Sequence, residues 1–119
     1  MKMSYFVIGT NNMEAATKFY DVLFAQTDVA PALPQGRMTY WLGPDFAFAV
    51  ALPFNEAPAT PGNGTMLGLD VGSDEEVRRL HKLAIELGGS CEGEPNQRGP
   101  FFSAYVRDLD KNKLCLFRQ

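Results

Sequence analysis

The chain has 119 residues, of which 45% are hydrophobic and 21% are charged, and its formal net charge is −3. This length suits one hydrophobic core better than two separate domains. The small negative charge, with no block of like charges, argues against nucleic acid and anionic membrane as partners. The N-terminal apolar run ends at Gly9, too early for a signal peptide, so it predicts a first strand in a cytoplasmic protein.

The first half of the chain predicts the element order βαβββ. A β-rich run at Tyr5–Gly9 is followed by Asn12 as a candidate N-cap, and apolar residues then recur at helical spacing from Met13 to Leu23. Strands are predicted near residues 27–33, 37–42 and 46–52, with turns at residues 34–36 and 43–45. We place this first module at about residues 3–52.

The second half repeats the same order. Residues 53–64 contain three prolines and are predicted to be an irregular linker. The second module, about residues 65–119, has a capping box at Ser73 and Glu76, then a helix that stops at Gly88. Its strands are predicted at residues 65–71, 90–94, 101–107 and 113–117. Asn12 and Ser73 are 61 residues apart (73 − 12), and this one offset also aligns the strands and helices, which indicates an internal duplication.

Four segments carry a resemblance to the vicinal oxygen chelate superfamily: residues 8–11, 19–23, 62–66 and 108–114. The last is similar to the family's Asp-Pro-Asp-Gly-Asn turn, with Leu109 and Lys111 in place of Pro and Gly. That superfamily includes glyoxalase I, extradiol dioxygenases, fosfomycin-resistance transferases and bleomycin-resistance binding proteins. The resemblance implies an α+β fold of two tandem βαβββ modules, whose curled mixed sheet forms an open cup with the helices outside. It also implies a homodimer.

The resemblance further implies metal ligands on the first and last strands of each module. Those positions hold Tyr5, Met66 and Cys115, and residues 46–52 contain no donor. Since divalent ions require converging imidazole, carboxylate or thiolate ligands, we predict neither a metal nor another cofactor in the cup. The only histidine, His81, is predicted to pack on the second helix. The two cysteines, Cys91 and Cys115, are predicted to be free thiols.

Strand alternation predicts which side chains line the cup. On the third strand the pattern leaves open whether Tyr40 with Leu42 or Thr39 with Trp41 faces the cup, and on the fourth strand it leaves open the side of Phe46 with Phe48. The residues matching Ser103 and Tyr105 contact substrate in the fosfomycin-resistance relatives. The predicted ligand-binding residues are Tyr5, Val7, Tyr40, Phe48, Met66, Phe101, Ser103, Tyr105, Cys115 and Phe117.

Such an aromatic cup predicts metal-independent binding of a small hydrophobic or aromatic molecule, with sequestration as in the bleomycin-resistance relatives. One alternative is a metal-free enzyme that uses Tyr5, Tyr105 or Cys115, although a cysteine among apolar neighbours should be protonated and inert. A metal-dependent lyase or dioxygenase ranks last. In another alternative, the aromatic side chains only fill the core or a dimer interface. The sequence therefore favours a binding protein and leaves enzyme activity undecided.

Overall fold

A computed structural model describes all 119 residues, and both of its helices begin at the predicted side-chain caps. Helix α1, Met13–Phe24, follows Asn12, whose Oδ1 accepts a hydrogen bond from the Ala15 N–H at 3.0 Å. Helix α2, Asp74–Glu86, follows Ser73, whose Oγ accepts from the Glu76 N–H at 3.1 Å. These caps satisfy backbone donors that the first helical turn leaves unpaired. Neither helix is long and apolar enough to cross a membrane.

Eight strands form two mixed four-stranded sheets. They are β1 Tyr5–Gly9, β2 Leu33–Gln35, β3 Met38–Leu42, β4 Ala47–Ala51, β5 Leu67–Asp70, β6 Ser90–Arg98, β7 Phe101–Arg107 and β8 Lys113–Arg118. The strand orders are β1-β4-β3-β2 and β5-β8-β7-β6. The pairs β1–β4 and β5–β8 are parallel, and all other strand pairs are antiparallel. The predicted α+β fold with two βαβββ modules is confirmed.

The chain divides into two compact units, each containing one module. Unit 1 is Met1–Thr60 and unit 2 is Pro61–Gln119. In both units the helix packs on one face of its own sheet, and we call the opposite face the open face of that unit.

Two strand predictions differ from the structure. Residues 27–32 are not a strand, because the Thr27 hydroxyl donates to the Phe24 carbonyl and closes a turn after α1. The strand begins only at Leu33, and β2 includes two residues of the turn predicted at 34–36. Thr27 is β-branched, which favours a strand, but its hydroxyl uses a local backbone partner instead. The strand predicted at residues 90–94 continues to Arg98 through Pro95, which is tolerated because β6 is an edge strand.

The core of unit 1 is an aromatic cluster beneath α1. Phe48 is 1% exposed, and its ring centroid lies 4.8 Å from Tyr20, 5.5 Å from Phe24 and 5.8 Å from Trp41. The Trp41 indole N–H donates to Asp21 Oδ1 at 3.2 Å. The prediction that Phe48 lines the ligand cup is therefore wrong, since the register Trp41↔Phe48 directs both side chains towards the helix.

The β7–β8 turn contains a strained backbone position. Lys111 has φ of 70°, in the left-handed region that disfavours side chains with a Cβ. We expect Lys111→Gly to raise the free energy of unfolding by about 0.5 to 1 kcal/mol, measured by urea denaturation, because the relieved strain exceeds the entropic cost of glycine. Lys111→Ala removes the same charge but keeps the Cβ, so an equal gain there would contradict the backbone explanation.

Candidate functional site

The open face of unit 2 brings together most of the predicted site residues of the second half. In the β7–β8 register, Ser103 lies opposite Phe117 and Tyr105 opposite Cys115. These side chains alternate with Leu114 and Leu116, which are fully buried on the helix side. Phe101 and Met66, at 43% and 48% exposure, remain accessible to solvent. The predicted assignment of faces is confirmed here, while ligand binding by these residues stays a prediction.

The Tyr105 ring on β7 lies near one cationic side chain from each neighbouring strand, Arg98 from β6 and Lys113 from β8. The Arg98 guanidinium carbon and the Lys113 Nζ each lie 5.2 Å from the Tyr105 ring centroid. Both distances are within the range of a cation–π interaction. Gly93, opposite Tyr105 on β6, makes room for this arrangement, since a Cβ there would lie 2.8 Å from the Tyr105 ring and 3.1 Å from Arg98 Nη2.

Backbone carbonyl groups hold the Arg98 side chain in place. Its Nη2 donates to the Glu94 carbonyl at 2.8 Å, and its Nη1 donates to the Ser103 carbonyl. Neither Arg98 nor Lys113 forms a salt bridge, because the chain's salt bridges use other arginines. The polar end of the open face therefore holds two positive charges without a salt bridge, although Lys113 still attracts the Glu92 carboxylate electrostatically.

Cys115 is 8% exposed beside this polar end. Burial raises the pKa of the Cys115 thiol, while a hydrogen bond with Tyr105 and the positive charges of Arg98 and Lys113 act in the opposite direction. Burial is the largest of these effects, so the thiol is protonated at neutral pH. The prediction of a raised pKa is confirmed, and it disfavours Cys115 as a nucleophile.

An aromatic pair forms the other end of the open face. The Phe101 and Phe117 rings meet edge to face, with centroids 5.6 Å apart. The Phe117 ring lies beside Gly68 on β5, since a Cβ at Gly68 would be in ordinary van der Waals contact with it at 3.4 Å. The four residue steps from Lys113 to Phe117 along β8 correspond to about 13 Å. The face is thus basic at one end and aromatic at the other.

The open face of unit 1 is mainly apolar. Tyr5 and Val7, at 62% and 44% exposure, flank Ala47 and Ala49 on β4, and Tyr40 lies on the other side of Ala49. The structure thereby resolves the choice on β3. Tyr40 lies on the open face with Leu42, whereas Thr39 and Trp41 are buried under α1.

The positions implied for metal ligands contain side chains that do not suit a divalent ion. Gly68 pairs with Cys115 in unit 2 as Val7 pairs with Ala49 in unit 1, so Ala49 occupies the position equivalent to Cys115. In unit 1 these positions hold a phenol and a methyl group, and in unit 2 they hold a thioether and a protonated thiol, so neither unit offers an imidazole or a carboxylate there.

Arg98 and Lys113 were not among the predicted site residues. Lys113 could have been identified by alternation, since it is two residues before Cys115 on the same strand. Arg98 gave no such signal, because it lies beyond the predicted end of its strand and reaches Tyr105 only through the pairing of β6 with β7.

The two cysteines should differ in their rate of alkylation by iodoacetamide. At about pH 7.5 we expect Cys91, which is exposed, to react well before Cys115, which is buried. The pKa of each thiol is raised, so both rates should increase as the pH rises above 9.0, the unperturbed value. Peptide mass spectrometry measures the order. Faster labelling of Cys115 than of Cys91 would contradict an inert Cys115.

The strand order, the parallel pairs β1–β4 and β5–β8, and the helix in each unit together define a tandem βαβββ protein. No family model and no curated protein matches the sequence. Among solved structures, a glyoxalase/bleomycin resistance protein from Albidiferax ferrireducens T118 is 33% identical, with a TM-score of 0.93 and 98% of each chain covered. The chain therefore belongs to the glyoxalase/bleomycin resistance/dioxygenase superfamily, the vicinal oxygen chelate superfamily.

Two further structures share the fold at lower identity. A glyoxalase/bleomycin resistance protein/dioxygenase family enzyme from Burkholderia phytofirmans PsJN is 19% identical, with a TM-score of 0.81, and the match covers 99% of this chain and 98% of the other. The fosfomycin resistance protein FosX from Mesorhizobium loti is 18% identical, with a TM-score of 0.72, and the match covers 99% of this chain and 92% of the other. These names span enzymes and resistance proteins, so family membership leaves the activity open.

Proposed function

We propose that this chain binds a small molecule with an apolar or aromatic body and an acidic group, without a metal ion, on the open face of unit 2. The observation that carries the proposal is the pair of cations without a salt bridge, Arg98 and Lys113, each 5.2 Å from the Tyr105 ring. A homodimer, expected from the family resemblance, stays a prediction.

The polar end of this face would bind the acidic group of the ligand. Arg98 is already ordered by the Glu94 and Ser103 carbonyl groups, so binding an anion costs little additional side-chain entropy. A guanidinium and an ammonium group without a salt bridge can both donate charge-assisted hydrogen bonds. Tyr105 lies on the same face and can add a further polar contact, whereas Ser103 is 3% exposed and its hydroxyl accepts a hydrogen bond from Arg98 Nη1 at 3.4 Å.

The aromatic end of the same face would bind the apolar body of the ligand. Phe101 is 43% exposed although it contacts Phe117 edge to face, so a planar ligand would bury apolar area that now contacts water. A span of about 13 Å along β8 accommodates one or two fused rings and a carboxylate. Unit 1 offers a second apolar surface at Tyr5, Val7 and Tyr40, and its part in binding stays a prediction.

A metal-free enzyme is the second candidate, favoured by the contact between Tyr105 and Cys115. The Tyr105 hydrogen bond lowers the pKa of the Cys115 thiol and would stabilise a thiolate, but burial outweighs it. Binding without turnover is therefore the better supported function.

Calorimetry with two matched probes tests the proposal. We expect 2-naphthoate to bind more tightly than neutral 2-naphthamide, and we expect the double variant Arg98→Met, Lys113→Met to lose about tenfold or more in affinity for the acid alone. Lys82→Met, on the exposed side of α2, is the matched control and should bind like the unchanged protein.

Equal affinity for acid and amide, or unchanged binding of the acid by the double variant, would overturn the proposal. Failure of both probes to bind would do the same. The acid should be recovered chemically unchanged after incubation and should bind equally with and without EDTA. Conversion that is lost in Cys115→Ser would instead favour the enzyme.

A further inference from the structure

Three potential metal ligands lie together on the helix side of the unit 2 sheet, away from the open face. His81 is on α2, and Cys91 and Glu94 are on β6. One imidazole nitrogen, the Cys91 Sγ and one Glu94 carboxylate oxygen all lie within 4.8 Å of one another. The Cys91 thiol donates a hydrogen bond to Glu94 Oε1 at 3.3 Å.

An irregular strand makes this cluster possible. Cys91 and Glu94 are three residues apart, so in a regular strand their side chains would point to opposite faces. Here the pairing of β6 with β7 shifts register between Cys91 and Gly93 and again between Gly93 and Asn96. Such bulges redirect side chains, and they allow Cys91 and Glu94 to approach each other beside α2.

His81 supplies an independent indication of a ligand. Its side chain is 5% exposed, and its Nε2 is buried without any hydrogen-bond partner. Buried polar atoms are nearly always paired, so an unpaired nitrogen on an imidazole that lies beside a thiol and a carboxylate requires an explanation. A metal ion bound through Nε2 would provide the missing partner.

We propose that His81, Cys91 and Glu94 bind one divalent transition-metal ion of the zinc class, with water at a fourth position. The mixed nitrogen, sulfur and oxygen set suits Zn²⁺ or Co²⁺, whereas Mg²⁺ and Ca²⁺ prefer oxygen ligands alone. Tetrahedral bonds of about 2.0 to 2.3 Å place ligand atoms about 3.3 to 3.8 Å apart. Rotation of the exposed Cys91 and Glu94 side chains can close the remaining distance.

This site is separate from the proposed binding of an aromatic acid, and either can exist without the other. Its expected effect is structural, because the ion would tie the edge strand β6 to helix α2. The Glu94 carbonyl also accepts a hydrogen bond from Arg98, so the ion would order the segment that carries Arg98.

Titration of metal-stripped protein with Co²⁺ tests the site directly. We expect one Co²⁺ per chain and a near-ultraviolet thiolate-to-cobalt charge-transfer band, which Cys91→Ser should abolish. His81→Gln and Glu94→Gln should each weaken Zn²⁺ binding by about tenfold or more in calorimetry. Cys115→Ser and Glu92→Gln are matched controls and should behave like the unchanged protein.

The pH dependence provides a second readout. A cysteine binds such an ion as the thiolate, so the metal must displace the Cys91 thiol proton. Zn²⁺ affinity should therefore rise between about pH 6.5 and about pH 8.5. Absence of the thiolate band, its survival in Cys91→Ser, or its loss in Cys115→Ser would overturn the proposal. Circular dichroism establishes that each variant is folded.

Discussion

Phe48→Ala is expected to reduce the free energy of unfolding of unit 1 by about 3 to 5 kcal/mol, because it leaves a cavity in the aromatic core. Phe48 is 1% exposed and contacts Tyr20, Phe24 and Trp41. Denaturant titration followed by Trp41 fluorescence measures the loss, since Trp41 is the chain's only tryptophan and lies in the same cluster.

Phe54→Ala is the control for this prediction. Phe54 is 84% exposed, so its removal should change the free energy of unfolding by only about 0.5 kcal/mol or less. Phe48→Leu keeps most of the buried volume and should leave the binding of 2-naphthoate unchanged. A similar loss of stability in Phe48→Ala and Phe54→Ala would contradict the placement of Phe48 beneath α1.

Asp108→Ala is expected to destabilise unit 2 by about 3 kcal/mol, because it removes a buried carboxylate that organises the β7–β8 turn. Asp108 is 2% exposed. Its Oδ1 accepts hydrogen bonds from the N–H groups of Asp110 and Asn112, both at 2.9 Å, and its Oδ2 accepts from Asn112 Nδ2 at 3.0 Å. The alanine variant removes the acceptor of all three hydrogen bonds, two of which involve the buried Asn112. Urea denaturation followed by circular dichroism measures the loss.

Asp108→Asn provides the graded comparison. An amide oxygen can still accept from the two backbone N–H groups, but the second carboxylate oxygen and the charge are lost. We expect about half the destabilisation of Asp108→Ala. If both variants unfold at the same denaturant concentration as the unchanged protein, the carboxylate does not organise the turn.

The helix starts and the assignment of faces were predictable because both depend on neighbouring residues. Asn12 and Ser73 cap their helices through hydrogen bonds to N–H groups only three residues away. The two-residue period of a strand likewise places Ser103 and Tyr105 on one face of β7, and Cys115 and Phe117 on one face of β8, whatever the partner strands are. Alternation alone could not decide the side of Phe48 or Tyr40, because both faces of unit 1 carry apolar residues.

Both candidate sites depend on pairings between distant residues. The guanidinium of Arg98 reaches Tyr105 only because β6 pairs with β7 in a register shifted by bulges, and nothing local in the sequence encodes that register. The same bulges bring Cys91 and Glu94 together beside His81, which the sequence indicated only as a packed helix residue.

The duplicated βαβββ order and the helix caps can be predicted from the sequence, because they follow from short-range spacing. The core position of Phe48, the two cations beside Tyr105 and the approach of His81 to Cys91 appear only in the folded chain. The physical reason is that strand register and helix packing are fixed by side chains far apart in the chain, whose contacts exist only in the folded protein.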